Sequence, residues 1–178
     1  MLQGRVLGLA CCWMLVVACG DRSSVDAGPP DPDRVLASGM SARQTVEARA
    51  HHMKDLGGAF KAVRDQAKRQ PPNLTLLQMS AQEVALASQD LPSWFPSGTG
   101  PETGLKMRAL AKVWTDQADF ATAATAFRTE AQRLNELAQA GDAAGVREQA
   151  SVVRKTCGGC HDTYRAPPPA SERTPSDG

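Results

Sequence analysis

Apolar residues recur at alternating steps of three and four along four stretches of the chain, the spacing of helices with one buried face. The first stretch, 42–68, carries Val46, Ala50, Met53, Gly57 and Phe60, widened by Leu56 and Val63. Ser41 and Gln44 form a capping box ahead of it, and Pro71-Pro72 ends it. The second, 74–89, carries Leu74, Leu77, Ala81, Val84 and Ser88, closed by Leu91-Pro92 and a Gly/Pro-rich loop to about Gly104. The third, 106–140, places Val113, Phe120, Phe127 and Leu134 seven apart, with Ala124, Ala131 and Ala138 between them. Gly141 is its C-cap candidate, and Asp142 is an N-cap for the fourth, 143–165. That last stripe is Val146, Ala150, Val153, Cys157, Cys160 and Tyr164. Four sustained stripes joined by short connections predict an all-α, antiparallel four-helix bundle over 41–166.

The flanks are different. Arg5 followed by the apolar run 6–18 reads as an export signal over 1–18, because about 20 residues are needed to span a bilayer. Val16-Val17-Ala18-Cys19 resembles a lipoprotein box, which would make Cys19 the lipidated N-terminus of an extracytoplasmic, membrane-anchored protein. An ordinary signal cut after Ala18 or Gly20 is the other reading. Residues 19–40, with Gly28-Pro29-Pro30, read as a disordered linker, and 167–178 as a disordered tail.

Composition changes the picture little. Aromatic residues are 4% of the chain and the formal net charge is +1, and no basic run points to nucleic acid. Cysteine usage says more. Of five cysteines, Cys11 and Cys12 leave with the signal and Cys19 is accounted for by lipid, so Cys157 and Cys160 alone belong to the domain.

They form Cys157-Gly158-Gly159-Cys160-His161, the string of c-type haem attachment. Two thiols three residues apart can add to two vinyl groups, and the imidazole beside them can ligate the iron from the same side. One covalent haem c is therefore expected, with His161 as axial ligand. A disulfide or a zinc site is the alternative. Zinc needs four ligands, however, and of the three histidines that accompany the two thiols His51 and His52 are adjacent and so face different directions on a helix. A thioredoxin-type redox site needs a strand, and no strand pattern is present.

On these residues the chain resembles the cytochrome c-prime family, the class II c-type cytochromes with C-terminal haem attachment. The resemblance spans about 42–166. It rests on Arg49-Ala50-His51-His52-Met53-Lys54, on Leu56-Gly57 with Lys61, on Leu91-Pro92-Ser93-Trp94-Phe95-Pro96, on Val113-Trp114-Thr115-Asp116 with Phe120, and on 154–165. Ala111 departs from the family's frequent Pro, and Gly158-Gly159 replaces a common Lys.

The resemblance implies a periplasmic electron carrier, or alternatively a binder of nitric oxide or carbon monoxide, often dimeric through the first two helices. It puts Arg49 near a haem propionate, against the plain alternative of a solvated helix charge. It puts Arg165 beside His161, against that of a cation at a helix C-terminus. Low-spin relatives place a ligating Met where this chain has Leu56. High-spin relatives cover the iron with an apolar side chain at the position of Met53. A non-bonded Met53 is expected, although its thioether could bind iron, and His51 and His52 flank the stripe. No enzymatic activity is expected, because a peroxidase needs an acid–base pair over the iron and the stripe there offers Val46, Ala50, Met53 and Leu56.

Overall fold

The computed structural model describes residues 31–169. Its helices are α1 (Ala42–Ala67), α2 (Leu74–Asp90), the single turn α3 (Lys112–Thr115), α4 (Gln117–Gln139) and α5 (Ala143–Tyr164), with 3-10 turns at Leu91–Trp94 and Pro101–Thr103. Local chemistry sets the ends. The Ser41 hydroxyl accepts from the Gln44 amide while the Gln44 side chain accepts from the Ser41 amide, satisfying two N–H groups the helix leaves unpaired. The Asn73 and Asp142 side chains accept from the amides of Leu76 and Gly145, at 3.0 and 2.8 Å. Gly141 takes φ +74° just past α4, a conformation that glycine adopts without strain.

The third helix begins later than its periodicity predicts. Residues 105–111 are not helical, because their backbone groups pair with the end of α5. The Leu110 amide donates to the Tyr164 carbonyl at 2.9 Å, and the Ala166 amide donates to the Arg108 carbonyl at 2.7 Å. Asp116, at φ −116° and ψ 52°, then separates α3 from α4. The linker expected over 19–40 also differs where it is described. Residues 31–40 fold back as turns on the start of α1, the Arg43 amide donating to the Pro32 carbonyl and the Arg43 side chain pairing with Asp33 at 2.8 Å. The signal at 1–18, Cys19, the rest of the linker to residue 30, and 170–178 of the tail lie outside the described residues.

The four long helices form an antiparallel bundle in which α1 borders α2, α2 borders α4, and α4 borders α5. Cross-helix hydrogen bonds show the directions. Gln78, early in α2, exchanges side-chain bonds with Gln139 at the end of α4. Arg147, early in α5, donates twice to the Ala67 carbonyl at the end of α1. α1 and α5 close the ring but pack against each other least.

The two ends of the bundle are built differently. At one end, Val63, Leu77, Leu134 and Val146 are wholly buried. Each contributes about 1.5–3 kcal/mol by leaving water. At the other end the core is aromatic: Phe120 meets Phe95 at 5.1 Å and Tyr164 at 5.2 Å, edge to face, and Phe95 meets Trp114 at 6.0 Å. Along α1 the predicted stripe is buried at Val46 and Val63. Between them Met53 and Phe60 are half-buried, and Ala50 and Gly57 are exposed. The apolar face of α1 is thus incompletely covered along the seam it shares with α5.

Candidate haem site

The site begins with the pitch of α5. Cys157 and Cys160 are three residues apart, so both fall on the core-facing side, half-buried and packed against the same cluster as Val153 and Tyr164. His161, four residues after Cys157, stands at the exposed edge of that face. The glycines between the cysteines keep the surface low: a Cβ at Gly158 or Gly159 would meet no atom within 4 Å. The two thiols are free.

Electrostatics favour neutral groups. Burial pushes the Cys157 thiol up to about 11, with the neighbouring Cys160 adding to it. Burial likewise raises Cys160. His161 is lowered, first by burial and then by the guanidinium groups of Arg165 and Arg108. Its neutral imidazole, the form that ligates a metal, is therefore favoured near pH 7. Arg165 satisfies both of its expected descriptions. It caps the end of α5, and its Nη1 lies 3.5 Å from Nδ1 of His161. Sequence reading missed Arg108, whose partner in space lies 53 positions away in the chain.

On α1, Met53 and Leu56 are half-buried and pack against the same core cluster as the two cysteines. His52 turns away, stacking on Trp94 with ring centres 5.0 Å apart, and His51 is exposed. His52 and Leu56 border a groove of about 400 Å³ between α1 and α2, together with Asp55, Glu83 and Asp90. Met53 does not border that groove.

Arg49 is neither solvated nor idle. It is 5% exposed. Nη1 donates to Oγ1 of Thr99 at 3.2 Å and to the Trp94 carbonyl at 3.4 Å, while Nη2 donates to the Thr99 carbonyl at 3.1 Å. Its guanidinium carbon lies 4.8 Å from the Phe95 ring centre and 5.3 Å from that of Trp114. Burial lowers its pKa to about 10, so it remains a cation at neutral pH. The charge is compensated by carbonyl oxygens and ring faces, and it ties the 94–107 loop to α1. The sequence motif contained Arg49 but carried no sign of Thr99 as its partner.

These residues fit a haem. Two neutral thiols and a neutral imidazole share one helical face, beside the least tightly packed seam of the bundle, with an aromatic cluster beneath and Met53 on the helix across. Among the described residues, no three His, Cys, Asp or Glu side chains converge as a bare metal ion would require. The bundle and its Cys-x-x-Cys-His face define a c-type haem protein.

Comparison with known proteins agrees. The family model described as Cytochrome C' matches residues 44–165. The cytochrome c' of Pararhodospirillum photometricum is 32% identical over 120 residues, covering 67% of this chain and 94% of that protein. The cytochrome c-556 of Agrobacterium tumefaciens (strain B2A) is 32% identical over 122 residues, covering 67% and 95%. A solved cytochrome c' with a ligand-controlled dimer dissociation superposes with a TM-score of 0.67 at 22% identity, covering 72% of this chain and 99% of its own. The chain belongs to the cytochrome c' family.

The Arg49 network yields a direct test. Arg49→Gln removes the bonds to Thr99 and the charge over the rings, with an expected loss of about 1–3 kcal/mol of stability. Amide hydrogen exchange across 95–104 should accelerate while that of α4 stays slow. Unchanged exchange in the loop would show that Arg49 does not hold it.

Proposed function

We propose that the chain is a mono-haem c-type cytochrome that carries electrons outside the cytoplasm, with the haem joined covalently to Cys157 and Cys160 and its iron ligated by His161. The observation that carries this reading is the placement of both half-buried thiols and the exposed imidazole on one face of α5, at the seam with α1. The half-buried Cys157 and Cys160 and the exposed His161 would hold such a group between core and solvent, where electron exchange with a partner is open to it. Bound haem supplies a one-electron iron couple and a coordination position at which a small gas can bind.

The chain's own residues do the rest. Cys157 and Cys160 fix the group, and His161 orients it from the α5 side. Burial, aided by Arg165 and Arg108, favours the neutral form of that imidazole. Met53, on α1 and packed against the same cluster as the two cysteines, would face the group without offering an acid or base, which supports a carrier and not an enzyme.

Met53 also favours a second reading, small-gas binding. Its side chain is apolar and half-buried, and Leu56 occupies the place where a ligating Met would stand in low-spin relatives. With Met53 as a cover and not a ligand, bound haem would leave a coordination position open to carbon monoxide or nitric oxide. A homodimer through α1 and α2 is consistent with exposed Met79 and Leu86 on α2, and a structural relative dissociates its dimer under ligand control. Export and anchorage through Cys19 rest on the lipoprotein-like string. Among the described residues no helix is long and apolar enough to cross a membrane.

Covalent attachment is read on a denaturing gel. Wild type should keep its haem colour and gain the mass of one haem, and the double substitution Cys157→Ala, Cys160→Ala should lose both. Colour retained in the double variant would end the assignment. His161→Ala should keep the thioethers and change the spectrum.

Met53→Ala should speed carbon monoxide binding about ten-fold, because moving a half-buried Met costs about 1–2 kcal/mol, with no change of resting spin state. A resting low-spin spectrum that turns high-spin in Met53→Ala would make Met53 a ligand and remove the gas reading. Sedimentation during the same titration reads the dimer.

Cys19→Ser should move the protein from the membrane to the soluble extracytoplasmic fraction, since one acyl chain holds weakly and several hold firmly. Identical soluble fractionation of both proteins would refute the anchor.

A further inference from the structure

A groove of about 190 Å³ runs along the outer side of the α1–α5 seam, and its walls carry Arg64, Lys68, Arg147 and Arg154 beside Ser151. No carboxylate lines it. None of these four cations is in an ion pair among the described residues. Asp65, next to Arg64 in the chain, is bonded to Lys61 and also feels the charges of Arg64 and Lys68. Arg147 is held rigidly, donating from Nε and Nη2 to the Ala67 carbonyl at 3.1 and 2.9 Å. Arg64 leans over the Phe60 ring at 5.9 Å. The groove on the other flank of α1 is the converse, with Asp55, Glu83 and Asp90 and no Lys or Arg. The two grooves that flank α1 thus carry charge of opposite sign.

Like charges held together repel, and Asp65, which is bonded to Lys61, offsets only Arg64 and Lys68 in part. The groove keeps a net positive charge that an acidic surface would complement. We propose that this groove docks the carboxylate-rich face of a protein redox partner. The proposal rests on the electron-transfer reading and names the class of partner for it. A small anion is held by convergent, desolvated donors. Here the cations are exposed and spread over about one turn of α1 and two of α5, which suits an extended acidic surface and long-range steering. The groove is concave and narrow, and so admits protruding Asp and Glu side chains better than a flat layer of lipid headgroups. Its location also fits. Arg154 precedes Cys157 by three residues, a rise of about 4.5 Å along the helix. The groove runs from there back to Arg147, ten residues or about 15 Å before Cys157, so a partner seated on it approaches the haem-bearing end of α5 at its Arg154 edge.

The test uses the haem-loaded protein, wild type and the double substitution Arg64→Gln, Arg154→Gln. Arg147 is left intact because it caps α1. Binding is measured to poly-L-glutamate, to inorganic phosphate and to phosphatidylglycerol vesicles. Oxidation of the ferrous protein is measured with anionic hexacyanoferrate(III) and with cationic tris(phenanthroline)cobalt(III). In each reaction one electron leaves the protein's iron and reduces the complex from the +3 to the +2 state.

Wild type should bind poly-L-glutamate at low salt, and the double variant about ten-fold more weakly, with unchanged haem spectrum and thermal midpoint. Oxidation by hexacyanoferrate should slow several-fold in the variant, and oxidation by the cobalt complex should not slow. Arg64→Lys with Arg154→Lys should restore most of the binding, which separates charge from a folding defect. Equal poly-L-glutamate binding by wild type and variant would overturn the proposal. Saturable phosphate binding that displaces the polymer would overturn it in favour of a small-anion site. Binding to vesicles without binding to the polymer would overturn it in favour of a lipid surface. If neither metal complex oxidises the protein, the electron-transfer reading fails, and with it the redox character of the partner, while polymer binding still decides whether the groove docks acidic protein surfaces.

Discussion

An α-helix brings residues three and four apart onto one face, and α5 depends on that property more than any other element. Two thiols and an imidazole within five residues can act on one planar group only if the helix runs unbroken through all of them. It does so to Tyr164. Val153, Ala150 and Val146 bury the same face about one, two and three turns earlier, which fixes the rotation of α5 about its axis before the cysteines are reached. The aliphatic end of the bundle therefore sets the orientation of the site at its other end, through residues 4 to 11 positions before Cys157 on the same helix.

The two ends carry different loads. Small and branched aliphatics close one end tightly. At the other, large rings and a buried guanidinium occupy the space between α1, α4 and the 94–107 loop. Arg49 on Phe95 and Trp114 shows how a bundle poor in large aliphatics can still be ordered there. The cation is desolvated only because Thr99, Trp94 and two ring faces replace water. Its charge also pairs at longer range with Glu102, which caps the Gly100 amide at 3.0 Å in the same loop.

Most of this fold was legible in the sequence, for a physical reason. Helices α1 and α5 start at signals read in the chain, a Ser41–Gln44 box and an Asp142 cap, whereas the Asn73 cap of α2 is seen only in the structure. The start of the third helix was not legible. Lys106 to Leu110 have acceptable helical propensity, and the competing hydrogen bonds come from Tyr164 and Ala166, far along the chain. The turns at 31–40 were missed similarly, since a Pro- and Asp-rich string reads as linker until Arg43 is seen to hold Asp33. At the site, the reactive residues were plain from their spacing. Their environment was not. The stacking of His52 on Trp94, the bonds of Arg49 to Thr99, and the reach of Arg108 toward His161 are all contacts across loops, which periodicity does not encode.

The pairing of residues 108–110 with 164–166 bears on how the site stays formed. The last turn of any helix frays, because its carbonyl groups lack partners. His161 lies only three residues from the end of α5, within the region that opens most readily. The Leu110 amide takes up the Tyr164 carbonyl, and Arg108 takes up that of Ala166 with its side chain while its own carbonyl receives the Ala166 amide. Local opening at His161 must then break bonds to a segment anchored by the buried Val113. The terminal turn is thereby joined to the cooperative unit of the bundle, and the imidazole has the opening free energy of the core instead of that of a chain end.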